Sequence, residues 1–246
     1  MDNQETIKKM KKMRLHGMAR AFEETIRTPL EKKFTSDELI AHMTETEWDD
    51  RHNRKLQRLV KAAKFRTRAT FQQIDFQIKR NLDKNLMLRL SNCNWIQQKK
   101  NIIITGSTGV GKSFIAEALG HQACVHEFKT ACFIAQKLFT ELKCAKGDGT
   151  YFKKLKHLKK QDLLILDDFG LHPFDTDARL TLLEIMQDRY GFKSTMIASQ
   201  FPVQKWHEII GEPTIADAFC DRLVHSSYRI DLKGESVRKS YRQKDF

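Results

Sequence analysis

The sequence predicts an α/β fold, a parallel sheet flanked by helices and preceded by a small all-helical segment. Three observations predict it. From residue 101 onward, short apolar runs alternate with stretches of helical periodicity. Residues 6–65 carry helical periodicity alone. Residues 106–113 read G-S-T-G-V-G-K-S, a glycine-rich loop set between an apolar run and a helix-like stretch. Strands that alternate with helices pair in parallel and are covered on both faces, because each crossover helix packs back on the sheet.

The elements run in order along the chain. Ile7, Met10, Met13, Leu15, Met18 and Phe22 recur mostly every three or four residues, the period of a one-sided helix. Ser36, with Asp37 and Glu38 behind it and then Leu39, Ile40 and Met43, reads as a capped helix start. A further helical stretch is expected from about 45 to 64. There Leu56, Leu59, Val60 and Ala63 form an apolar face, opposite Arg51, Arg54, Lys55, Arg58, Lys61 and Lys64. Residues 70–98 hold Phe71, Ile74, Phe76, Leu82, Leu86, Leu90 and Trp95, which suggests a connector and a helix packed on the second domain. Strands are then expected at 102–105, 131–134, 163–166, 195–199 and 228–232. Helices are expected at about 114–127, 136–146, 151–160, 177–190, 203–210 and 214–224, with a turn at Gly147-Asp148-Gly149. The organisation read from this is a basic helical domain over 1–68, a connector over 69–100 and the α/β domain over 101–246.

Composition narrows the setting. Hydrophobic residues make up 40% of the 246, enough for a core. There is no apolar run of membrane-spanning length and no signal-peptide pattern at the start, so a cytoplasmic, membrane-free protein is expected. Five cysteines without a C-x-x-C pair speak for reduced thiols. His121, Cys124 and His126 cluster, but no matching ligand pair lies downstream, so a metal site there is not expected. Charge is uneven. Residues 1–100 hold 23 basic and 13 acidic residues, leaving most of the net +13 in that segment. Such a surplus suits a polyanion partner, and equally a plain solvated surface. Arg51–Arg68 and the Lys153, Lys154, Lys156, Lys159, Lys160 cluster are the candidate phosphate contacts.

Residues 106–113 meet G-x-x-x-x-G-K-[ST] in full, in the strand–loop–helix context that the motif requires. Gly106 and Gly111 let the chain curl so that the N–H groups of Ser107, Thr108, Gly109 and Val110 turn toward phosphate oxygens, and the following helix adds its positive end. Lys112 is expected at the β- and γ-phosphates of ATP, and the Ser113 hydroxyl in the shell of Mg²⁺. Leu163–Leu166 is an apolar run ending in Asp167-Asp168. Asp167 suits Mg²⁺, largely through water, and Asp168 suits a general base toward the attacking water. An extra strand, 131–134, lies between Lys112 and Asp167, a pattern of ATPases whose catalytic acid adjoins the metal-binding acid rather than of nucleotide kinases.

Beyond this core the chain resembles the AAA+ ATPases. By that resemblance Gln200, or Ser199, ends the next strand as a sensor of the γ-phosphate. Arg222, in A-D-A-F-C-D-R-L, is placed as an arginine finger for a neighbouring subunit, and Arg238, in G-E-S-V-R-K, as a second sensor. Read whole, the segments K-M-R-L-H-G-M-A-R-A-F-E-E, T-E-W-D-D-R-H-N-R-K-L, D-L-L-I-L-D-D-F-G and R-Y-G-F-K-S-T-M-I-A-S-Q-F-P resemble the IstB family of insertion-sequence ATP-binding proteins, cousins of the DnaC helicase loaders. Ser107 departs from the commoner proline and Ser113 from the commoner threonine. The resemblance implies an ATPase that self-associates on duplex DNA and stimulates a partner transposase. A DnaC-like helicase loader, a small-molecule kinase and a non-hydrolysing ATP switch are the alternatives. With about six phosphates contacted, duplex binding should weaken with salt at a log–log slope of about −5.

Overall fold

The computed structural model describes residues 2–27 and 34–237, so Arg238 lies outside the described residues. The chain divides into two compact units, Met1–Arg58 and Leu59–Phe246. The division falls inside one long helix, earlier than the sequence-based boundary at 68.

In the first unit, α1 (Asn3–Lys12) and α2 (His16–Arg27) are separate helices, so the apolar series from Ile7 to Phe22 spans two elements rather than one. Arg14, at φ 63°, ends α1. Its N–H donates to Lys11 O and the Leu15 N–H to Met10 O, the paired bonds of a Schellman stop. The expected pair of helices after residue 36 is instead one continuous helix, α3 (Ser36–Ala63). Its cap is Thr35, one residue before the expected Ser36. The Glu38 N–H donates to Thr35 Oγ1, and the Thr35 N–H and hydroxyl both donate to Glu38 Oε2, a reciprocal capping box. The packing of α2 on α3 depends on Gly17, where an added Cβ would lie 2.5 Å from Thr46 O and 2.6 Å from Glu47 Cα. This close approach lets the buried Glu47 carboxylate accept the Gly17 and Met18 N–H groups at 2.7 and 3.2 Å. A glutamate of α3 therefore satisfies first-turn donors of α2.

In the second unit a five-stranded sheet has the order β2-β3-β4-β1-β5, all parallel. Its strands are β1 (Asn101–Gly106), β2 (Thr130–Ile134), β3 (Leu163–Phe169), β4 (Ser194–Ser199) and β5 (Ser227–Leu232). Strand alternation sends side chains to opposite faces, and two cores result. Ile103, Leu164, Leu166 and Ile197 pack under α7 (Ala135–Gly147), α8 (Tyr151–Lys159), α9 (Thr176–Arg189), α10 (Trp206–Ile210) and α11 (Pro213–Val224). Ile102, Ile104, Ile165, Met196, Ala198 and Ile230 pack under α6 (Lys112–Val125), α4 (Lys84–Ser91) and α5 (Asn94–Gln97). Met87, Leu90, Trp95 and Ile96 of the connector are fully part of this second core. α7 runs on through Gly147, shortening the expected turn. Caps fix the helix starts: Asp175 accepts from Ala178 N on α9, and Glu212 accepts from Ile215 N behind Pro213 on α11. Among the described residues no helix is long and apolar enough to cross a membrane.

Candidate functional site

The loop between β1 and α6 sits at the C-terminal ends of the parallel strands, where ligands of open α/β sheets bind. Gly111, at φ 98°, turns the chain into α6. As the first residue before the helix it offers no side-chain cap, and α6 has no acidic residue in its first turn. Its leading N–H groups and positive dipole end are thus left for an anion. A cleft of about 330 Å³ opens over this loop, lined by Thr108, Gly109, Gly111, Lys112 and Ser113 and bordered by Asp168 and Gln200.

The side chains named from the sequence converge here. The buried Lys112 ammonium donates to Ser107 O at 2.8 Å, holding the loop curled. The Ser113 hydroxyl donates to Asp167 Oδ1 at 2.9 Å, so loop and acidic strand end are joined. Thr108 Oγ1 donates to Gln200 Oε1 at 2.7 Å. Of the two sensor candidates, Ser199 is occupied in the fold: its hydroxyl donates to Phe169 O and accepts the Phe201 N–H. Gln200 alone faces the cleft. Val110 is fully buried behind the loop.

The acidic pair owes its arrangement to a register shift between β3 and β4. Leu166 pairs with Ile197, and Phe169 next pairs with Ser199. The extra residue on β3 is accommodated by Asp168 at φ 54°. In a regular strand Asp167 and Asp168 would face opposite ways. Here Oδ2 of each lies near one cation, Arg66 Nη1, at 3.6 and 3.8 Å. Asp167 is 1% exposed, and burial pushes its carboxyl above the ordinary value against the Ser113 bond that lowers it. Its Oδ2 has no hydrogen-bond partner. A buried carboxylate oxygen left open beside a hydroxyl is the donor chemistry that a hard, oxygen-seeking cation takes.

Three further residues build the site; Arg80 and Glu117 were not singled out from the sequence, and Arg66 was expected in another role. Arg80, 3% exposed, donates Nη2 to Asp75 O at 3.0 Å and Nη1 toward Val110 O at 3.4 Å, so the connector braces the loop from behind. Nothing local in Lys79-Arg80-Asn81 marks this role. Glu117, buried on α6 one turn after Ser113, accepts the N–H groups of Arg66 and Thr67 and the Thr67 hydroxyl. A lone acid inside the apolar run Phe114–Leu119 was the available signal. Arg66, expected among the candidate phosphate contacts Arg51–Arg68, stands beyond the end of α3 at the acidic pair.

The remaining candidates lie elsewhere. Arg222, half-buried on α11, donates Nη1 to Ala218 O at 2.7 Å and does not line the cleft. On α3, Arg51 and Arg54 are engaged by Glu47 and Asp50 one turn back, a pairing that the acid-free stretch after residue 50 concealed. Arg58 and Lys61 are exposed and Lys55 is half-buried. On α8, Lys153 and Lys156 are exposed, Lys154 donates to Glu141 O, and Lys159 pairs with Asp188.

The chain is similar to known proteins over nearly all its length. Residues 8–245 match the family described as IstB-like ATP binding protein. An insertion-sequence ATP-binding protein of Sinorhizobium fredii is 45% identical over 97% of this chain and 98% of its own length. One from insertion sequence IS1162 of Pseudomonas fluorescens is 39% identical over 82% of this chain and 88% of its own. Among solved structures, the DnaC helicase loader superposes with TM-score 0.55 at 19% identity, over 67% of this chain and 97% of that one. DnaA of Aquifex aeolicus bound to AMPPCP does so with TM-score 0.57 at 19% identity, over 74% and 56%. These two likenesses show a shared fold, the parallel sheet with its flanking helices. With the glycine-rich loop and its acidic partner strand in place, the family match identifies this chain as a member of the IstB-like ATP-binding proteins.

Proposed function

We propose that this protein is a Mg²⁺-dependent ATPase that assembles on duplex DNA in its ATP state and stimulates a partner transposase. The observation that carries the reading is the convergence of Lys112, Ser113, Asp168 and Gln200 on one cleft, with the buried Asp167 bonded to Ser113. Ser113 and Asp167 would hold Mg²⁺, which when bound supplies charge neutralisation to the phosphates. The N–H groups of Ser107–Gly111 and the start of α6 receive the phosphate chain, and Lys112 exchanges the Ser107 carbonyl for β- and γ-phosphate oxygens. Asp168 takes the proton of the attacking water, and Gln200, tethered through Thr108, orients at the γ-phosphate. Arg222, away from its own cleft, acts in the site of a neighbouring copy, where such an arginine is worth roughly 10³–10⁵ in rate. Arg238 is the second sensor of this reading. The names of the insertion-sequence relatives support the transposition setting. Arg51, Arg54, Lys55, Arg58 and Lys61, and separately Lys153, Lys154 and Lys156, are the phosphate-contacting residues. The segmentation 1–68, 69–100 and 101–246 is kept as a functional division into DNA or partner binding, brace and ATPase.

The test is Lys112→Ala in the full chain, measured for ATP-dependent assembly on duplex DNA and for transposase stimulation. Loss of both is expected. Assembly and stimulation at wild-type levels would overturn the reading, and co-purification with a replicative helicase without any effect on a transposase would select a helicase loader instead.

A further inference from the structure

We infer that Arg66 is a positioning residue of the metal–nucleotide site. Its guanidinium holds the Asp167 and Asp168 carboxylates while no divalent cation is bound, and yields these oxygens when the cation arrives with ATP. The inference rests on the ATP–Mg²⁺ reading above and adds the residue that competes with the cation.

Two carboxylates brought to the same side by the left-handed Asp168 repel each other, and one of them is buried. Some positive charge must face them. Arg66 Nη1 supplies it, at 3.6 Å from Asp167 Oδ2 and 3.8 Å from Asp168 Oδ2. These separations are those of an ion pair, beyond good hydrogen-bond range, and the Arg66 side chain is 55% exposed. The pair is therefore electrostatic and loosely held, and Asp167 Oδ2 accepts no hydrogen bond. Mg²⁺ would be held by these oxygens either directly, at the short distances of a hard cation, or at longer range through its waters. It and the guanidinium cannot both face the same two oxygens without strong repulsion.

The backbone of Arg66 is fixed while its side chain is not. Arg66 N donates to Glu117 Oε1 at 3.1 Å, and Thr67 N and Oγ1 donate to Glu117 Oε2 at 2.7 and 2.6 Å. Glu117 sits one turn along α6 from Ser113, so this clamp holds the segment against the helix that carries the phosphate loop. Lys64, at φ 57°, turns the chain from the end of α3 into the clamp. Displacement of the guanidinium is thus a side-chain movement about an anchored Cα, directed outward from the acidic pair.

The experiment is a Mg²⁺ titration of the binding of a fluorescent, non-hydrolysable ATP analogue to full-length wild type, Arg66→Gln and Arg66→Lys. Thermal melts in EDTA and at saturating Mg²⁺ and analogue accompany it. Removing the competing charge should lower the half-saturating Mg²⁺ in Arg66→Gln by roughly three- to tenfold, the scale of a half-exposed ion pair to two carboxylates. Arg66→Lys should stay near wild type. Arg66→Gln should melt lower than wild type in EDTA, with the difference closing once Mg²⁺ and analogue are bound. An unchanged or raised half-saturating Mg²⁺ in Arg66→Gln would overturn the inference, since Arg66 would then be neutral toward the cation or would help to bind the nucleotide. Wild-type nucleotide binding that ignores Mg²⁺ altogether would sink the metal reading itself, and the inference with it.

Discussion

Gly111→Ala tests how the phosphate loop is held. Gly111 sits at φ 98°, a conformation that costs an L-residue about 1–2 kcal/mol. An added Cβ would also stand 2.5 Å from Arg80 Nη1. That guanidinium is buried and bonded to the Asp75 carbonyl at 3.0 Å, so moving it weakens a charged hydrogen bond and loosens the brace behind Val110, at about 1–2 kcal/mol more. The loop can escape both penalties only by leaving the curl that aims its N–H groups at phosphate. The loss therefore falls on nucleotide affinity, about 2–4 kcal/mol in all, or roughly 30- to 700-fold at 1.4 kcal/mol per decade. Equilibrium binding of a fluorescent ATP analogue with Mg²⁺ measures it, with a thermal melt to confirm folding. In the cycle with Arg80→Ala the two substitutions should be less than additive, because the clash disappears while the φ penalty stays. Affinity within about threefold of wild type in Gly111→Ala, or strict additivity in the cycle, would refute the reasoning.

Two other expectations separate stability from function. Asp167 carries a carboxyl whose pKa burial raises, so the folded state keeps its proton to higher pH than the unfolded chain does. Its contribution to stability therefore falls as pH rises above the ordinary 3.8, and at neutral pH the buried charge opposes folding. Asp167→Asn should raise the melting temperature in EDTA by a few degrees, about 1 kcal/mol, while abolishing Mg²⁺-dependent nucleotide binding; a lower melting temperature would contradict this account. Glu47 behaves oppositely. Burial pushes its pKa up, yet the Arg51 bond and the Met18 and Gly17 N–H groups outweigh it and hold the carboxyl below the ordinary 4.5. The advantage of wild type over Glu47→Gln, about 1–2 kcal/mol, should be full above pH 4.5 and vanish as pH falls through the depressed value. Helical ellipticity during urea unfolding at several pH values tracks it, and a gap that widens in acid would count against the proposed charge.

Much of the α/β domain was legible because its signals are local. Ile102-Ile103-Ile104 and Leu163–Leu166 are continuous apolar runs because both faces of their strands are covered, and the helices between them keep a 3.6-residue period. The N-terminal helices were less legible. Apolar spacing cannot register the left-handed Arg14 that divides α1 from α2. It also missed the continuity of α3, expected as a helix start at Ser36 and a further stretch from about 45 to 64. The basic face of α3 was read without Glu47 and Asp50, which lie one turn earlier in sequence and beside Arg51 and Arg54 in space.

By itself the sequence determined the phosphate loop, Gly106–Ser113, and the apolar strand ending in two acids, because each is a contiguous segment whose chemistry depends on its own residues and spacing. Only the tertiary structure decided that Asp167 and Asp168 face one way, since the bulge and the left-handed Asp168 arise from pairing β3 with β4. It also decided that Arg80 braces the loop and that Arg66 guards the acids. Arg80 comes from the connector and Arg66 from the segment after α3, and their positions are set by long-range packing on β5 and α6. A side chain's partner across the fold is a property of that packing, and no local period in the chain records it.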